Sequence, residues 1–202
     1  MFVTFKNTLK DFIVFSPNDI RKYFPEFDKK NLVYWQKKGY IKRIRNNYYC
    51  FSDTQKSEDF LFYVANSIYN PSYVSLESAL SFYGIIPEGV YTITSISTLK
   101  TNTFDTDFNR FTYRNIKPNL YFGYNLKNYQ NQSFKISNLE KTILDYLYLN
   151  PSIKDATDFE HMRWNKIELQ KMNRNLIGDY LKLFDSNALN QRFDHFKSYL
   201  YA

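Results

Sequence analysis

The chain is poor in the residues that carry most catalytic and cross-linking chemistry. Its 202 residues include one cysteine and two histidines. A lone Cys50 gives no disulfide framework within the chain, and it reads as a small buried hydrophobe in a strand. His161 and His195 lie far apart and lack metal-ligand spacing. Five glycines and six prolines are too few for a loop-rich or disordered chain. There is no Gly-rich phosphate loop and no G-x-S-x-G. No apolar run approaches the roughly 20 residues that span a bilayer, and no charged-then-apolar leader opens the chain. These absences predict a cytoplasmic protein with no catalytic site, no metal, no cofactor and no membrane partner.

Aromatic mass and positive charge are what the chain does have. There are 19 Tyr and 19 Phe in a chain that is 44% hydrophobic, ample for real cores. The net charge is +7, and it is localised. Residues 1–51 hold 11 Lys and Arg against Asp11, Asp19, Glu26 and Asp28, which leaves 11 − 4 = +7. Residues 52–202 are therefore neutral. A basic N-terminal module on a neutral body points to a polyanion partner; a solvated lysine face is the bland alternative.

The stretch Asp28–Phe51 gives that charge a shape. Asp28 is a candidate N-cap for a helix carrying Leu32, Val33, Tyr34 and Trp35. Gly39 stands where a left-handed helix stop belongs. Tyr40–Ile44 and Tyr48–Phe51 read as strands joined by Arg45-Asn46-Asn47, since Asn tolerates the positive φ of a tight hairpin. Upstream, Phe2–Phe15 carries a helical apolar stripe, and Ser16-Pro17 starts a second helix that Pro25 ends. Three helices and a basic hairpin are the order of a winged helix-turn-helix. In that reading Lys29, Lys30, Asn31, Tyr34, Lys37 and Lys38 form the exposed face of the helix that enters the major groove. Lys42, Arg43, Arg45, Asn46 and Asn47 form the wing. Leu32 and Trp35 are assigned to the core.

Beyond a polar stretch at Ser52–Ser57, the sequence predicts helices over Glu58–Ile68 and Ser75–Tyr83. Strands are expected at Val90–Ile96, Arg110–Arg114, Leu120–Tyr124 and Gln132–Ile136, forming a small antiparallel sheet. A helix over Asn138–Leu149 follows. From about residue 155 the chain reads as all-helical, with boundaries near Asn165, Gly178 and Ser186-Asn187. The expected class is α+β, with a winged helix-turn-helix at 1–52 and an α+β domain at 58–202. Asp105-Thr106-Asp107 would hold Mg²⁺ in a nucleotidyltransferase. Such enzymes place a Gly-Ser shortly upstream, however, and Thr98–Thr103 has none, so a solvated turn in a polar loop is favoured. Lys141 and Asp145 stand at i, i+4 and read as a structural ion pair.

Three segments carry a resemblance to a known family: KKGYIKRIRNNYYCF (Lys37–Phe51), YVSLESALSFYGIIPE (Tyr73–Glu88) and ISNLEKTILDYLY (Ile136–Tyr148). The chain resembles the AbiEi-type antitoxins, transcriptional regulators of abortive-infection (type IV) toxin–antitoxin systems. The resemblance spans most of residues 1–150; the last 50 are similar only in being helical. It implies a repressor that binds inverted repeats in double-stranded DNA at its own operon. It also implies a body that counteracts a nucleotidyltransferase toxin without necessarily touching it. Two other classes stay open on the residues alone: a protein-interaction module without specific DNA binding, and an enzyme of the nucleotidyltransferase class.

Overall fold

The computed structural model describes residues 1–87 and 89–201; Glu88, which closes the second of the three segments, and Ala202 lie outside them. The chain begins with three short helices, α1 (Phe2–Thr8), α2 (Pro17–Tyr23) and α3 (Lys30–Lys37). Two strands follow, β1 (Ile41–Arg45) and β2 (Tyr48–Phe51), paired antiparallel. Ser16 and Asp19 form a capping box on α2: the Ser16 hydroxyl accepts from the Asp19 N–H, and the Asp19 carboxylate accepts from the Ser16 N–H at 3.0 Å. The N-cap of α3 is Lys29, which makes no side-chain cap, and not Asp28; the Asp28 carboxylate, one residue earlier, accepts from the Lys30 N–H at 2.8 Å. The hairpin turns at Asn46-Asn47, where Asn47 takes a φ of 66°. Arg45 belongs to β1, not to the turn.

The apolar stripe of Phe2–Phe15 is not one helix. Helix α1 stops at Thr8, and Phe15 instead exchanges two backbone hydrogen bonds with Tyr49, each of 2.9 Å. The reason lies in where the stripe goes. Phe5, Leu9 and Phe15 enter one core with Ile20, Leu32, Trp35, Ile41 and Phe51, whereas Ile13 and Val14 enter another. The turns and bends of residues 9–14 let neighbouring side chains enter different cores, which one continuous apolar stripe on a helix does not.

The body starts at α4 (Glu58–Ile68), capped by Ser57, and continues through β3 (Ser72–Val74) into α5 (Leu76–Phe82). Then come β4 (Thr92–Ser97), β5 (Asn102–Asp105), β6 (Arg110–Asn115), β7 (Tyr124–Tyr129) and β8 (Gln132–Ser137). Helix α6 (Leu139–Leu149) is followed by α7 (Ala156–Met162), α8 (Lys166–Leu169), α9 (Arg174–Phe184) and α10 (Asn187–Tyr201). Among the described residues this is an α+β chain of ten helices with a two-stranded and a six-stranded sheet.

The larger sheet corrects the sequence expectation. Its order is β5-β6-β4-β3-β8-β7, and it is mixed: β4/β6 and β3/β8 run parallel. Two of its strands, β3 and β5, are too short or too polar to signal themselves. Leu120–Tyr124 is not a strand. Pro118–Leu120 makes a 3₁₀ turn and Gly123 takes a φ of 71°, so pairing begins only at Tyr124. Gly178 does not bound a helix; it lies within α9.

Helix α4 covers one face of the sheet, over Val74, Ile93, Phe111, Tyr113, Phe134 and Ile136. Helices α5, α6 and the C-terminal helices supply the core on the other, around Tyr73 and Ile96. The hairpin sits between two cores. Ile41, Tyr49 and Phe51 pack into the N-terminal one, and Ile44 and Cys50 into that under α4. Burial of each Ile or Phe among them contributes about 1.5–3 kcal/mol. Ser52–Ser57 therefore connects the two parts without setting them apart. Cys50 is fully buried, as its sequence context suggested, and burial pushes its thiol up to about 12.

Candidate nucleic-acid interface

Helix α3 buries Leu32 and Trp35 and presents the opposite face to solvent. Lys30, Val33, Tyr34, Lys37 and Lys38 are exposed there, and Asn31 is half-buried. From Lys30 to Lys37 that face runs about 10 Å, at 1.5 Å per residue. Lys38 Nζ lies 5.8 Å from the centre of the Tyr34 ring, so the phenol is part of a cationic surface.

At the N-terminal end of α3 the structure brings three elements together around a cleft of about 390 Å³. Lys29 comes from the start of α3, Arg45, Asn46 and Asn47 from the hairpin, and Asn18 and Arg21 from α2. Its lining holds three cations and three amides and no carboxylate. Cations with hydrogen-bonding amides and no competing acid suit a phosphate ester. Asn18 and Arg21 were not assigned a role from sequence. The available signal was their i, i+3 spacing, which sets them on one face of α2, away from the fully buried Ile20.

The other hairpin cations lie elsewhere. Lys42 and Arg43 line a separate cleft of about 410 Å³ with Gln36, Lys56 and Asp107. The Arg43 guanidinium stays within 3.5 Å of Asn46 Oδ1, which leaves it reaching towards the tip. Arg45 is not a free wing-tip cation. It is half-buried, its Nη1 donates to the Ile68 carbonyl at 2.8 Å, and its guanidinium carbon stands 3.6 Å from the Phe104 ring centre.

Asp105 closes β5 rather than lying in a loop, and its carboxylate accepts from Arg110 Nε at 2.5 Å. Asp107 faces the cleft of Lys42 and Arg43. His161 and His195 are exposed on α7 and α10. Among the described residues no three His, Cys, Asp or Glu side chains are grouped to hold a metal ion.

One polar cluster is fully sealed. Lys141 and Asp145 on α6 form an ion pair, each with no solvent exposure. Tyr73 and Ser75 donate to Asp145 Oδ2 at 2.9 and 3.1 Å, Lys141 donates to the Tyr73 hydroxyl at 2.9 Å, and Ser137 donates to Ser75 at 3.2 Å. The Lys141 ammonium also lies 4.9 and 4.8 Å from the Phe122 and Phe184 ring centres. Burial pushes Asp145 above the usual carboxylate range, and it pushes Lys141 down. Gly123 belongs to this packing, because a Cβ there would meet Lys141 Cβ at 3.0 Å. The cluster thus joins Tyr73–Glu88 to Ile136–Tyr148, two of the three segments that carry the family resemblance. The pair has no solvent exposure, and its bonds to Tyr73 hold α6 to β3.

No family model matches the chain, and a comparison with curated proteins finds no match.

Proposed function

We propose that the protein is a DNA-binding transcriptional regulator whose N-terminal helices and hairpin act as a winged helix-turn-helix. The cleft of Arg21, Lys29, Asn46 and Asn47 carries the reading, because cations from separate elements converge there without an acid. Helix α3 then lies in the major groove with Lys30, Asn31, Tyr34, Lys37 and Lys38 towards the DNA. The cleft takes a backbone phosphate, and Lys42 and Arg43 follow the flanking backbone. By its resemblance to the AbiEi-type antitoxins, the protein represses its own toxin–antitoxin operon through inverted repeats and counteracts a nucleotidyltransferase toxin.

Binding of this kind is mainly electrostatic. With about five phosphate contacts, affinity for duplex DNA should fall by about 10²–10³ between 50 and 200 mM salt. Fluorescence anisotropy of a labelled duplex across that range measures it. Binding that ignores salt would contradict the proposal.

A further inference from the structure

Arg45 is the hairpin cation with a partner in the body. Its acceptor, the Ile68 carbonyl, ends α4, where four carbonyls lack partners within the helix. Arg45 therefore caps α4 from a distant strand, at the negative end of the helix dipole. Its other anchor is aromatic. Phe104 lies under the guanidinium and packs on Tyr69 and Tyr113, with ring centres 5.6 and 5.7 Å away. Those rings are themselves fixed: Tyr69 donates to the Lys100 carbonyl and Tyr113 to the Ala65 carbonyl, each at 2.7 Å. A planar guanidinium can stack and donate at once, which an ammonium cannot. Directly after Arg45 come Asn46 and Asn47, the two tip residues that line the cleft at the start of α3.

We propose that Arg45 is a positioning residue, a strut through which the β5 edge of the sheet and the end of α4 set the place of the hairpin tip. The DNA part of this rests on the function proposed above; the strut itself does not. Strand β5 pairs with β6 on one side only, at the edge of the sheet. A change at that edge that shifts Phe104 releases the tip and weakens nucleic-acid binding. The body thereby gains control over the head.

Phe104→Leu tests this without altering any charge or any residue of the cleft. Amide hydrogen exchange at Tyr48 and Tyr49, the paired residues beside the tip, should quicken by about 10-fold, since local opening governs exchange there. Wild-type exchange there would overturn the strut, whether or not the protein binds DNA. If the wild type binds no duplex, the functional proposal fails while the exchange result still decides this one. Arg45→Met separates positioning from contact. A positioning residue lowers affinity and leaves the salt slope unchanged, whereas a direct phosphate contact reduces the slope by about one. A reduced slope would overturn the assignment. Arg45→Lys, which keeps the donor and loses the stack, should fall between wild type and Arg45→Met.

Discussion

Replacing Lys141 by methionine is expected to destabilise the fold by about 3–5 kcal/mol, as removal of one partner of a buried ion pair does. The variant keeps the apolar stem of the side chain, so the loss is electrostatic. Asp145 would remain wholly buried beside Tyr73 and Ser75 without its counter-ion. The effect should carry a pH signature. Burial already raises Asp145, and the nearby ammonium opposes that rise. Without Lys141 the folded-state value climbs further above the unfolded value. A carboxyl raised by folding favours the native state when protonated. The variant should thus come closest to wild type below about pH 4, the unfolded carboxylate range, and lose ground as pH rises. Urea denaturation at several pH values measures both. Adding Asp145→Leu to Lys141→Met should recover part of the loss, because an apolar pair no longer buries a lone charge. A loss under about 1 kcal/mol at neutral pH would mean that the pair is not sealed as described.

Reversing Arg21 and Lys29 together to glutamate is expected to lower duplex affinity by about 10²-fold at 0.1 M salt. The salt slope should shrink by about two contacts. Both side chains are exposed, so stability should change by no more than about 0.5 kcal/mol for each. Net charge is controlled by Lys117→Glu with Lys182→Glu, two exposed positions in the body. That pair changes the total charge equally and should leave the slope intact. Anisotropy titrations of both variants at two salt concentrations separate a local site from a general attraction to a polyanion. Equal loss in the two pairs would assign the binding to net charge alone.

Local signals in the sequence carried the N-terminal elements. Ser16-Pro17 is a helix start because hydroxyl cap and preset φ act within three residues, and both are found. The Asn46-Asn47 turn is similarly self-contained. Leu32 and Trp35 were legible as core from their spacing. What stayed hidden depends on partners distant in the chain. Strand β3 is three residues long, and its neighbours β4 and β8 are supplied from elsewhere, so no alternation announces it. Strand β5, Asn-Thr-Phe-Asp, is an edge strand with polar side chains in solvent. The aromatic run Leu120–Tyr124 looks like a strand, yet a positive φ at Gly123 and the close approach of Lys141 break it. The same reason separates the two clefts. Adjacent basic residues in one short hairpin read as one patch, but Lys42 and Arg43 line a different cleft from Asn46 and Asn47, one completed by Lys56 and Asp107 from further along the chain. Arg45 looked like a tip residue because its acceptor lies 23 positions on.

The central claim is specific recognition of DNA by the N-terminal helices and hairpin. The most direct measurement is a gel-shift titration of the protein against the DNA just upstream of its own coding sequence, with excess unrelated duplex present. The expected result is a shift that survives the competitor and weakens steeply as salt is raised. A shift abolished by the competitor would reduce the head to a basic surface. No shift at all would contradict the account and favour a protein-interaction module.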